Sequence, residues 1–197
     1  MAELNAPIVV LLGFPGTGKL TIARKLAPIL DAIVIDNHWI NNPIFGVIEP
    51  DGKSSLPESV WARASEVRAA VLETIGTLSR PERTFILTYS GMKAEVYDIE
   101  SLRLMQKAAM DRESAFIPIR LLCSDAELRR RVVNEDRLKN MKMVNPDMLE
   151  KYRDKTVLDT NHPNQMTLDV SALSADESAT QIADYVRRLD ENRVDRN

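Results

Sequence analysis

Apolar and polar positions along the chain change period in blocks. The run Ile8-Val9-Val10-Leu11-Leu12 is short and continuous, as expected of a strand buried on both faces. Leu20, Ala23, Leu26, Ala27 and Leu30 then recur at helical spacing and predict a first helix to about residue 30. Ala32 to Asp36 reads as a second strand ending in an acid. Val60, Ala64, Val67, Val71, Ile75 and Leu78 line one face of a long helix that Pro81 stops. Thr84 to Tyr89 is a third strand, and Val96, Ile99, Leu102, Met105 and Ala109 give the next helix. Phe116 to Cys123 is a fourth strand, in which Pro118 marks a bulge or the true start. Leu128 and Val132 open a charged helical stretch reaching about Lys142; Pro146 interrupts it, and Met148, Leu149 and Tyr152 add a further turn or two. Met166 to Val170 is a fifth strand, Ala175 to Leu189 a last helix, and the charged tail from Asp190 frays.

Strands alternate with helices throughout, which predicts an α/β domain with a parallel sheet covered on both faces. The exception is Asn37 to Pro57, where three prolines, two glycines and little periodicity predict an irregular excursion. The expectation is one domain over residues 1–197, with mobile insertions at about 38–57 and 134–165.

Composition narrows the function classes. A net charge of −3 and a pI near 5.5 argue against a nucleic-acid surface as the main function, while leaving room for a local basic site. No apolar segment reaches 18 residues, so no membrane span is expected. The single Cys123 excludes an intrachain disulfide and ends an apolar run, which suits a buried, inert thiol in a reducing compartment. A cytoplasmic protein, monomeric or homodimeric, is the expectation.

The chemistry concentrates in Gly13-Phe14-Pro15-Gly16-Thr17-Gly18-Lys19-Leu20-Thr21, set between the first strand and the first helix. Glycines allow a concave backbone nest whose N–H groups converge on one anion, and the following helix adds its own N-terminal N–H groups and dipole. Lys19 supplies an ammonium for β- and γ-phosphates, and a nearby hydroxyl reaches Mg²⁺. Three of the 7 glycines fall within six positions here, and both flanking elements are present. A chance match is therefore set aside in favour of a nucleotide-phosphate site involving Gly13, Pro15, Gly16, Thr17, Gly18, Lys19, Leu20 and Thr21. Leu20 stands where a hydroxyl usually follows the lysine, with Thr21 one residue later.

The form G-x-P-G-x-G-K-x-T resembles the loop of adenylate kinase and its nucleoside monophosphate kinase relatives. The element order resembles that of shikimate kinase, gluconate kinase and chloramphenicol phosphotransferase. The resemblance implies a three-layer P-loop NTPase fold with five parallel strands and an activity that moves the γ-phosphoryl of ATP, with Mg²⁺, to a small-molecule acceptor. It also implies that Asp36, at the end of strand two, activates the acceptor hydroxyl or helps hold Mg²⁺ together with Thr21. The segment Glu135-Asp136-Arg137 resembles the lid of chloramphenicol phosphotransferase, so Arg137 and Arg131 are expected to close onto the transferring phosphoryl, with Arg129, Arg130 and Lys142 as further candidates. The loop Ser171 to Ser174 lies beside the adenine in these families.

Bland readings stand beside these. Asp36 also suits a turn, His38 a satisfied polar residue, and the 127–142 stretch a solvated helix with Glu127–Arg131 pairing. Thr88 and Ser90 are read as solvent-facing hydroxyls by default, though plausible ligands, and the third strand ends without the acid that mechanical ATPases use. Arg63 and Arg68 are weak candidates for an anionic acceptor. A nucleotide-binding switch or weak ATPase remains the alternative class; a nucleic-acid-end kinase would want a basic channel.

Overall fold

The computed structural model describes residues 5–51, 54–92, 96–132 and 156–194. Arg137 and most of the 134–165 insertion lie outside these residues. In chain order the elements are β1 (Asn5–Leu12), α1 (Lys19–Leu30), β2 (Ala32–Ile35), α2 (Asn37–Ile48), α3 (Glu58–Leu78), β3 (Thr84–Tyr89), α4 (Val96–Asp111), β4 (Ser114–Leu122), α5 (Asp125–Val132), β5 (Met166–Asp169) and α6 (Ala175–Val194).

All five strands are parallel, in the order β2-β3-β1-β4-β5. The alternation along β1 builds three layers. Ile8, Val10 and Leu12 face a core with Leu72, Ile75, Leu102 and Met105 of α3 and α4. Val9 and Leu11 face the other core, with Ile22, Ala23 and Leu26 of α1 and Ile182, Ala183 and Val186 of α6. Fully buried on both sides, residues 8–12 of β1 have no room for polar side chains, which is why they read as a continuous apolar run.

The predicted excursion is corrected at its start: residues 37–48 are helix α2. Pro43 sits inside it and removes the N–H that would bond the carbonyl of Trp39. Both residues are exposed, so the missing bond faces water. The helix is held instead by burial of Ile40, Asn41 and Phe45 against α3, where the Phe45 ring meets Trp61 edge-on at 5.7 Å.

Pro118 lies within β4, which starts at Ser114, two residues before the expected point. Pairing of β4 with β5 begins only at Ile119, so the neighbouring strand does not reach the proline. Segment 156–165 precedes β5. Val157 and Leu158 join the α3/α4 core, and Leu158 N donates to Gly91 O.

Candidate functional site

Parallel strands put every strand's C-terminal end on one edge of the sheet, where ligands of such folds bind. The loop from Gly13 to Gly18 leaves β1 at that edge. Gly16 and Gly18 take φ values of +96° and +89°, which glycine adopts without steric cost. A Cβ on Gly13 would lie 2.8 Å from Thr17 Oγ1. A Cβ on Gly16 would come within 3.1 Å of Val132 Cγ2, so glycine lets the loop pack closely on α5.

The loop is braced from within. Thr17, fully buried, donates both its N–H and its hydroxyl to Phe14 O, at 3.2 and 2.9 Å. Gly13 N donates to Tyr89 O at 3.2 Å, tying the loop to the end of β3. Lys19 Nζ folds back over the loop and donates to Gly13 O at 2.6 Å and Phe14 O at 3.0 Å. Its ammonium is thereby held at the mouth of the nest. Leu20 is half-buried and Thr21 exposed in the first turn of α1.

Arg131 braces the loop from outside. Nη1 donates to Thr17 O at 3.2 Å, Nη2 to Val170 O at 2.9 Å and Nε to Glu127 Oε1 at 2.6 Å. One guanidinium thus joins the loop, α5 and the residue after β5. Arg130 and Arg131 hydrogen-bond Glu127 and hold its carboxyl down at about 2. Arg130 itself is exposed on the outer side of that cluster. Burial pushes the Cys123 thiol up, as expected of an inert cysteine.

Asp36 holds the N-cap position of α2, just beyond the end of β2, without a side-chain capping bond of its own. Register aligns Ile35 with Leu87 and Leu11 with Thr88, so Asp36 stands level with Leu11, two residues before the loop and two strands away from it. At 4.7–4.9 Å per strand, that is about 10 Å of lateral backbone separation from β1. Thr88, 2% exposed, donates its hydroxyl to Asp36 Oδ1 and accepts Asn37 N–H at 3.1 Å. His38 Nδ1 lies 3.9 Å from Asp36 Oδ2. The solvent-facing reading of Thr88 is thus corrected: the hydroxyl is turned inward onto the acid.

Of the two α3 arginines, Arg63 is exposed and pairs with Glu66, whereas Arg68 is buried. Arg68 Nη2 reaches Asn37 Oδ1 at 2.8 Å and Asn41 Oδ1 at 3.1 Å, Nη1 reaches Ser101 Oγ at 3.4 Å, and the guanidinium sits 5.1 Å from the Tyr89 ring centre. Tyr89 OH donates to Asp98 Oδ1 at 2.7 Å. Sequence reasoning missed Tyr89 and Asp98. Its one usable signal was Asn37 and Asn41, four residues apart and hence on one helical face.

The loop after β5 is built by its own side chains. Asp169 Oδ1 accepts Ser171 N at 2.8 Å, and Ser174 forms a reciprocal capping box with Glu177 at the start of α6. His162 lies edge-on to Phe116 at 5.3 Å, and its Nδ1 accepts Asn164 N at 3.1 Å, a satisfied packing role.

The donor set can be tested against a magnesium ion. Among the described residues no cluster of three or more His, Cys, Asp or Glu forms a cage. Thr21, exposed in the first turn of α1, offers one hydroxyl next to the loop, and Asp36 one carboxylate two strands away. That sparse set fits Mg²⁺, which is commonly carried by substrate phosphates and water with one or two protein oxygens.

Solved structures with this architecture include a gluconokinase from Sinorhizobium meliloti 1021, with a TM-score of 0.68 and 15% identity over 99% of each chain. Thymidylate kinase from Candida albicans matches at a TM-score of 0.60 and 16% identity, over 96% of this chain and 94% of that one. Shikimate kinase from Acinetobacter baumannii, solved with shikimate, matches at 0.55 and 20%, over 93% of this chain and 94% of that one. The fold is therefore that of the P-loop kinases, over nearly the whole chain. No family model matches the chain, and no curated protein matches it in sequence. Among the described residues no helix is long and apolar enough to cross a membrane.

Proposed function

We propose that this chain is a Mg²⁺-dependent phosphotransferase that moves the γ-phosphoryl of ATP to a hydroxyl of a small-molecule acceptor. The observation that carries the reading is the Asp36 carboxylate, fixed by Thr88 on the same sheet edge as Lys19. A nucleotide acceptor brings its own nucleophilic phosphate oxygen; a hydroxyl acceptor needs a base, and Asp36 is at hand.

In this reading the loop N–H groups not used within the fold, those of Gly16 and Gly18 among them, and the Lys19 ammonium hold the β- and γ-phosphates and offset the charge that spreads during transfer. When bound, Mg²⁺ would supply further charge neutralisation, with Thr21 as its protein oxygen and Asp36 kept for the acceptor. Asp36 takes the acceptor's hydroxyl proton as the acceptor oxygen bonds the γ-phosphorus and the bond to the bridging oxygen of ADP breaks. Arg131 keeps the loop in shape and adds positive charge beside it, and Arg137 comes onto the phosphoryl from the segment after α5.

The test is ADP release from Mg²⁺-ATP by purified protein against sugars, hydroxy acids, nucleosides, nucleotides, and aminoglycoside- or chloramphenicol-like compounds. One compound raising the rate far above background is the expected result. ATP binding with a rate that no compound moves contradicts the proposal and favours a nucleotide-dependent switch.

A further inference from the structure

Arg68 is 5% exposed, and all its hydrogen-bond acceptors are neutral: Asn37 Oδ1, Asn41 Oδ1 and Ser101 Oγ. Its Nε is buried without a partner, and burial lowers its proton affinity. Taking a guanidinium out of water with no carboxylate in contact is costly. A leucine or methionine would fill the space between α2, α3 and α4 without that cost, so the charge has work to do there.

The contacts say what it is. One nitrogen, Nη2, is shared by the first two turns of α2 through Asn37 and Asn41. Asn37 in turn donates its backbone N–H to Thr88 Oγ1, whose own proton goes to Asp36. Behind the guanidinium stands Tyr89, anchored through its hydroxyl to Asp98; the second Asp98 oxygen accepts Met92 N at 2.7 Å. α2 itself contains no charged residue and carries a proline, so little within it fixes where it starts.

We infer that Arg68 is a positioning residue: through Nη2, shared by Asn37 and Asn41, it sets the first turn of α2 and, by way of Thr88, the orientation of the Asp36 carboxylate. The inference rests on Asp36 being the group that acts on the acceptor. A lysine there keeps the charge but lacks the planar guanidinium that reaches Ser101 and the two asparagines at once while lying on the Tyr89 ring.

The experiment is amide hydrogen exchange by NMR on the full chain carrying Arg68→Lys, with Mg²⁺-ADP binding measured alongside. Exchange at Asn37 and Trp39, whose N–H groups bond Thr88 Oγ1 and Asp36 O, should speed up tenfold or more. The amides of β1 and the affinity for ADP should stay within twofold. Asn37→Ala, which removes only a half-buried side chain, should give the same local loosening, and adding Arg68→Lys to it should add little. Unchanged exchange at Trp39 in either folded variant, or acceleration spread equally over all strands, overturns the inference. Because no turnover is read, this result is independent of whether an acceptor is found.

Discussion

The Thr88 hydroxyl donates to the Asp36 carboxylate across the β3–β2 edge, while the same oxygen accepts the Asn37 N–H. This single side chain aims the acid and caps the helix that follows it. Thr88→Val keeps the shape, loses the donor to Asp36, and leaves Asn37 N–H unpaired. It should lower stability by about 1–3 kcal/mol, the cost of an orphaned buried polar group, and acceptor-dependent kcat should fall with it. Chemical denaturation and steady-state kinetics check the two effects.

Asp36→Asn removes the base and keeps the shape. Acceptor-dependent turnover should fall by about 10²–10⁴-fold, the range that positioned acid–base groups supply, with ATP affinity little changed. Unchanged acceptor-dependent turnover would take Asp36 out of the catalytic role.

Lys19→Met tests the nest. The ammonium now rests on Gly13 O and Phe14 O, 2.6 and 3.0 Å away, poised at the mouth of the loop. Its loss should cut turnover by about 10²–10³-fold, as for removal of one transition-state donor, and weaken ADP binding measured by calorimetry. Gly16→Ala tests the same loop through its backbone. With φ at +96° and a new Cβ 3.1 Å from Val132 Cγ2, it should cost about 1–3 kcal/mol, read as a fall in Tm.

How much of this was legible in the sequence depended on the range of the forces involved. The stretch from Gly13 to Thr21 was readable because a nest needs glycines at fixed offsets, a local requirement. The buried strands were readable because both faces of each are covered. Helix α2 was hidden: Pro43 and the lack of charge argue against a helix, and what makes it helical is burial against α3, where the Phe45 ring meets Trp61 from the next element. Thr88 looked like a surface hydroxyl until strand pairing brought Asp36 level with it. The resemblance to a kinase lid led to the expectation that Arg131 closes onto the phosphoryl; its attachment here, to Thr17 O and Val170 O, joins residues scattered over the whole chain.

Acid should act on that attachment. Arg130 and then Arg131 hold the Glu127 carboxyl from the usual 4.5 down to about 2. A carboxyl depressed in the folded state contributes stability above its unfolded pKa and loses it as the pH falls through the folded one. The stability difference between wild type and Glu127→Gln should therefore be greatest above pH 4.5 and shrink as the pH falls toward 2. Thermal unfolding of both proteins across that range is the check.

The most direct test of the phosphotransferase reading is the fate of the γ-phosphoryl. Protein incubated with Mg²⁺ and ATP labelled in the γ-phosphate, in the presence of the compound that most accelerates ADP release, should place the label in a phosphate ester of that compound, and the Asp36→Asn protein should fail to do so. Label found only as inorganic phosphate, at a rate no added compound changes, would contradict the account and leave a nucleotide-binding protein without an acceptor.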